Sequence, residues 1–123
     1  MIKKMNKTEL ADWGEAKARS FLEKRSVQIL ATNFRSSSGE VDIIGYDQDD
    51  LVFFEVKTRS STSFGFPEEA VNSTKIQKIE LVANDYMDLF QLENENWRID
   101  TIAIIRNPFN GKFQIKWFKN VEA

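Results

Sequence analysis

The 123-residue chain contains no cysteine and no histidine. Their absence removes disulfides, thiol nucleophiles, zinc sites built on those residues and any imidazole base. Carboxylates, lysines and hydroxyls are what remains for chemistry. No apolar run reaches the length of a membrane span. The basic opening, Met1 to Lys7, leads into Thr8-Glu9-Leu10-Ala11-Asp12 rather than an apolar core, so it does not read as a signal peptide. The expectation is a cytoplasmic protein with no membrane partner. An excess of positive charge is lacking too: 17 Lys and Arg against 19 Asp and Glu leave a net charge of -2, which is not the signature of a general nucleic-acid binder. Hydrophobic and charged fractions of 41% and 29% are ordinary for a globular protein. The length suits one domain over residues 1–123, with 1–7 as a flexible N-terminal segment.

What is present is the run Gly39-Glu40-Val41-Asp42, followed after twelve residues by Glu55-Val56-Lys57. Both segments read as strands, and Asp47-Gln48-Asp49-Asp50 between them is rich in turn-forming residues. Residues 40–59 are therefore expected to form one hairpin. A turn centred between Gln48 and Asp49 sets Asp42 against Glu55 and Glu40 against Lys57, with two carboxylates and an ammonium on one face. The apolar residues favour the same register. Val41 and Ile43 then share a face with Val52, Phe54 and Val56, and Ile44 and Tyr46 join Leu51 and Phe53 behind the charges.

Two opposed carboxylates in a poorly solvated setting stay ionised only with a cation between them; otherwise one pKa rises. Hard oxygen ligands suit Mg²⁺ or Mn²⁺, which makes Asp42 and Glu55 candidate metal ligands. Such an ion activates a phosphodiester for hydrolysis. Lys57, on the side of Glu55, is placed to orient a water or neutralise developing charge. The plain alternative is an exposed ion pair on a solvated sheet face, contributing about 0 to 1 kcal/mol. Leu51, Phe53 and Ile44 on the same face argue against full solvation.

The constellation Asp42, Glu55-Val56-Lys57 resembles the PD-(D/E)xK motif of the restriction-endonuclease-like superfamily. The longer strings Gly14-Glu15-Ala16, Gly39 to Ile44 and Phe53 to Arg59, with Lys75 and Arg98-Ile99-Asp100, resemble the bacterial YraN family, related in fold to archaeal Holliday-junction resolvases. The resemblance runs from about Trp13 to Ile105. It implies an α/β restriction-endonuclease-like fold, with a mixed central sheet flanked by helices. Val41 stands where the superfamily motif has proline, and Phe54 where similar proteins often carry valine.

Residues from about Thr8 to Arg25 read as an amphipathic helix with Thr8 as N-cap. Ala11, Ala18 and Leu22 form its apolar stripe, and Glu15 falls within it. Pairing of Glu15 with Arg19 on a solvated flank is the local alternative; the resemblance implies that Glu15 completes a catalytic metal or water shell. Val27 to Phe34 suits a strand, and Ser36 to Gly39 a flexible loop, read as a connector. Pro67 to Gln91 reads as a long helix or a broken pair, with Ile76, Ile79, Val82, Ala83, Tyr86 and Leu89 as its buried stripe. Trp97 to Arg106 and Lys112 to Phe118 are closing strands around the turn at 107–111. The order is α-β-β-β-α-β-β.

Arg35 and Asn33 beside the loop, and Lys75, are candidate phosphate contacts; the two cations are each also readable as a surface charge, with the resemblance favouring Lys75. Asp100, among apolar neighbours, is expected to serve a structural role beside Arg98 or a backbone amide. Phe64, Phe66 and Trp117 offer a face for a homodimer, although core packing explains them as well. Residues 1–35 carry eight bases against four acids and residues 40–59 six acids against two bases, a distribution compatible with holding a polyanion. Three functions follow: a Mg²⁺- or Mn²⁺-dependent nuclease acting on nucleic acid, DNA first among them and branched or damaged DNA in particular; a nucleic-acid-binding module without turnover; or a protein-interaction domain with an acidic face.

Overall fold

The computed structural model describes residues 4–63, 65–93 and 95–121. Helix α1, Lys7–Lys24, starts at a capping box: Asn6 Oδ1 accepts from the Glu9 amide at 2.8 Å, and the Glu9 carboxylate accepts from the Asn6 amide at 3.2 Å. The cap is thus Asn6, not Thr8. Asn6 and Lys7, expected in a flexible segment, belong to the helix start. The chain leaves α1 through Ser26 in the left-handed region, φ 67°, and enters strand β1, Gln28–Ser36.

Strands β2, Gly39–Asp47, and β3, Asp50–Arg59, form the anticipated hairpin. Its pairs run from Asp47–Asp50 through Ile44–Phe53 to Ile43–Phe54, in the expected register. The segment between β1 and β2 is a tight antiparallel turn at Ser37-Ser38, not a flexible loop; the Ser38 amide donates to Ser36 Oγ, whose hydroxyl donates to Asp85 at 2.6 Å. Of the two readings of Pro67 to Gln91, a long helix or a broken pair, the broken pair is the one that forms. A short 3-10 turn at Pro67–Ala70 precedes helix α2, Ser73–Leu89, which is capped by Asn72. Strand β4, Trp97–Arg106, pairs parallel to β3, and β5, Phe113–Phe118, pairs antiparallel to β4. The result is a mixed five-stranded sheet, β1-β2-β3-β4-β5, with a helix against each face, the α/β arrangement of the restriction-endonuclease-like fold. Among the described residues no helix is long and apolar enough to cross a membrane.

Alternation in the strands divides the core between the two helices. Ile43, Val52, Phe54, Ile102 and Ile104 pack against Ala18 and Leu22 of α1. Ile44, Leu51, Phe53 and Ile99 pack against Ile76, Ile79, Val82, Ala83 and Tyr86 of α2. Leu89, assigned to that stripe, is exposed, and Met87 is buried in its stead. Trp117, half-buried, packs on the α1 side of the core and donates its indole N–H to Asp100 at 2.8 Å. Phe66 is exposed, and Phe64 lies outside the described residues.

Gly14 lets α1 lie close to β3. A Cβ at that position would fall 1.8 Å from Thr58 Oγ1, so only glycine permits this approach, which brings Glu15 alongside the sheet.

Candidate active site

The candidate site lies where two strand pairs part. Pairing of β2 with β3 ends at Ile43–Phe54, while β2 continues beside β1 as far as Gly39 and β3 beside β4 as far as Arg59. At the fork the Asp42 side chain replaces the missing backbone acceptor, with Oδ2 accepting from the Val56 amide at 2.8 Å. The divergence overturns two expectations. Glu40 does not face Lys57; it pairs across β1 with Arg35 at 3.2 Å. Val41 leaves the α1-side set and packs with Phe34 in the α2-side cluster, because the alternation breaks at Asp42. The neighbouring strand is irregular at the same level: between the pairs Thr32–Ile43 and Phe34–Val41, Asn33 adopts φ 52°.

Glu55 is the pivotal side chain. It is only 8% exposed, and its Oε2 is buried without a hydrogen-bond partner. Its Oε1 is 3.7 Å from the Lys75 ammonium on the first turn of α2. Burial, then the Asp42 charge beside it, pushes the Glu55 carboxyl up to about 8, against the opposing pull of Lys75 and Lys57. With a proton on Glu55, its carboxyl hydrogen-bonds Asp42. Burial likewise raises Asp42 above the ordinary carboxylate value, although the Val56 amide and the bond to Glu55 oppose the rise.

Glu15 approaches from α1. Burial and the Asp42 charge raise its pKa, while a hydrogen bond with Asn33 lowers it. The alternative pairing with Arg19 is not formed, since Arg19 pairs with Glu23 at 3.5 Å. Glu15, Asp42 and Glu55 thus come together electrostatically, with Lys75 and Lys57 as the cations acting on Glu55. Arg35, at 78% side-chain exposure, stands outside this cluster in its pair with Glu40. Asn33, a candidate phosphate contact by sequence, takes the left-handed conformation between a bulge at 29–31 and the fork, and its side chain hydrogen-bonds Glu15, a partnership the sequence did not suggest.

These carboxylates suit a hard divalent cation. A buried, unpartnered carboxylate oxygen beside a second carboxylate whose pKa is also raised is a donor set that a cation would hold ionised. Among the described residues no three acids are gathered into a complete protein cage, so waters and substrate oxygens would supply the remaining ligands, as Mg²⁺ commonly requires.

Asp47 and Asp50, at the opposite end of the hairpin, belong to a separate network. Arg98 bonds Asp47 at 2.5 Å, Asp50 at 2.6 Å and the fully buried Asp100 at 3.1 Å, and Asp100 also accepts from the Asn120 amide at 2.8 Å. The expected structural role of Asp100 is met. This clamp holds the β2–β3 turn to β4, so two of the six acids counted in 40–59 serve the fold.

Fold, strand fork and paired carboxylates define a restriction-endonuclease-like protein. The model of UPF0102, described as an uncharacterised protein family, matches residues 14–104. The chain is 41% identical over 116 residues to a UPF0102 protein of Caldicellulosiruptor saccharolyticus, covering 94% of this chain and 98% of that one. It is 41% identical to a UPF0102 protein of Clostridium acetobutylicum, over 95% of each chain, and 37% identical to one of Roseiflexus castenholzii, over 80% of each. The protein belongs to the UPF0102 family, the YraN family of the sequence comparison.

Proposed function

We propose that this protein is a Mg²⁺- or Mn²⁺-dependent nuclease that hydrolyses DNA phosphodiester bonds, with branched or damaged DNA as its substrates. The observation that carries the reading is the buried, unpartnered Oε2 of Glu55 against Asp42 at the open end of the strand fork. Asp42 and Glu55 would hold the ion, and such an ion supplies Lewis-acid polarisation of a phosphoryl oxygen. Lys57, two residues beyond Glu55 on the same side of β3, orients the attacking water and neutralises charge developing on the phosphorus oxygens. Lys75 offsets the carboxylate charge as the polyanion approaches. Glu15, held by Asn33, is placed to accept a proton or fix a water on the α1 side.

The fit of Lys75 to Glu55 and the lack of a complete acid cage among the described residues favour a second reading, a nucleic-acid-binding module without turnover. Calorimetric Mn²⁺ titration of wild type and Glu55→Ala, with cleavage of a branched DNA assayed on the same samples, separates the two. Wild-type metal binding lost in the variant, together with cleavage, is the expected result. DNA binding without metal uptake would replace the nuclease with the binding module.

A further inference from the structure

Beyond the fork, β3 has an edge without a β2 partner. The Val56 amide points to that edge, toward Asp42, so the amide of Thr58, two residues on, points the same way, while Lys57 and Arg59 turn their backbone groups toward β4. A groove of about 580 Å³ runs along this edge, between Lys7, Leu10 and Ala11 of α1 and the β3 segment from Val56 to Arg59 with Ser60 and Ser61. Among the described residues three cations line it, Lys7, Lys57 and Arg59, and no acid does. The Arg59 Nε is buried and has no hydrogen-bond partner, although a buried guanidinium nitrogen ordinarily has one. The groove shares Lys57 with the candidate active site and so continues from it directly.

We infer that this groove is a phosphate subsite for the nucleic-acid strand, in which Arg59 and Lys7 bind a backbone phosphate neighbouring the one presented to Lys57. The inference rests on the nuclease reading for the identity of the polyanion. An arginine with a free Nε–H, a lysine lining the same groove and a backbone amide on the open edge match the oxygens of a phosphodiester. Contacts of this kind set the register of the strand and carry no base preference.

The test measures binding of a fluorescein-labelled branched DNA, the probe of the cleavage assay, by anisotropy at several salt concentrations in metal-free buffer where no cleavage occurs. Wild type is compared with Arg59→Gln, Lys7→Gln and a control, Lys24→Gln, at the far end of α1. Arg59→Gln and Lys7→Gln are each expected to weaken binding and to reduce the slope of log K against log salt by about 0.9, the value for one lost phosphate contact; Lys24→Gln leaves the slope unchanged. Should Arg59→Gln fail to fold, Lys7→Gln, an exposed residue at the helix start, carries the test alone. Wild-type DNA binding with both groove variants behaving like Lys24→Gln would overturn the subsite and leave the nuclease reading standing. Absence of DNA binding by the wild type would overturn both.

Discussion

Replacing Glu55 by glutamine should make the metal-free protein more stable at pH 8, not less. In the folded protein the Glu55 carboxyl is pushed up to about 8, against 4.5 for the ordinary group. The folded state therefore holds one more proton than the unfolded state across that interval, so stability falls as pH rises through it, by at most about 1.4 kcal/mol per pH unit. Below about pH 4.5 this loss is absent. Carried to pH 8, one such group reaches a ceiling of roughly 4 kcal/mol. The measured value should lie below that ceiling, because Glu55 and Asp42 share a proton and titrate as a pair. Glutamine presents the same shape with a permanent N–H donor toward Asp42, and so keeps the hydrogen bond without the proton. Urea denaturation of both proteins from pH 5 to 8, in the presence of a chelator, provides the assay. The wild type should lose stability with a clear slope, and Glu55→Gln should be flatter and more stable at the alkaline end. Equal slopes would refute the reasoning, because they would mean that Glu55 is ionised and solvated throughout. Added Mn²⁺ should remove most of the wild-type slope, since ligation requires the deprotonated form.

Other outcomes follow from the packing. Gly14→Ala should destabilise by about 1 to 3 kcal/mol through overpacking against Thr58, exceeding the roughly 1 kcal/mol gained in helix propensity; thermal denaturation reads it, and a stability equal to or above wild type would mean that α1 does not lie as close to β3. Asp100→Asn should cost about 3 kcal/mol, because Arg98 is left without its buried anion, and it should shift Trp117 fluorescence. Asn6→Ala should cost about 1 kcal/mol through loss of the helix cap, measurable by chemical denaturation, with Thr8→Ala nearly silent.

The hairpin register was legible because strict alternation over Ile43 to Phe54 permits only one pairing that keeps both apolar sets inside. The candidate carboxylates were legible for the same reason. Alternation gives no warning of where a ladder stops, so the sequence did not reveal that β2 leaves β3 after Ile43, that Val41 changes sides or that Glu40 goes to Arg35. Thr8 is also a capping type and masks Asn6 as the cap; the reciprocal partner Glu9, three residues after Asn6, is the signal that separates the two. The Arg98 clamp joins residues nearly fifty positions apart, a separation that no local pattern encodes. Leu89 sits at the last turn of α2, where a residue in phase with the stripe has already passed the end of the sheet-covered surface.

The irregular course of β1 also bears on solubility. This strand forms one rim of the sheet, and a straight rim would offer its amides and carbonyls to any extended chain that met it. The bulge between Ile29 and Ala31 and the left-handed Asn33 interrupt that rim twice within five residues. The same kink that holds Asn33 beside Glu15 thus breaks the template for intermolecular strand addition, and straightening it by Asn33→Val would expose a self-pairing edge as well as releasing Glu15.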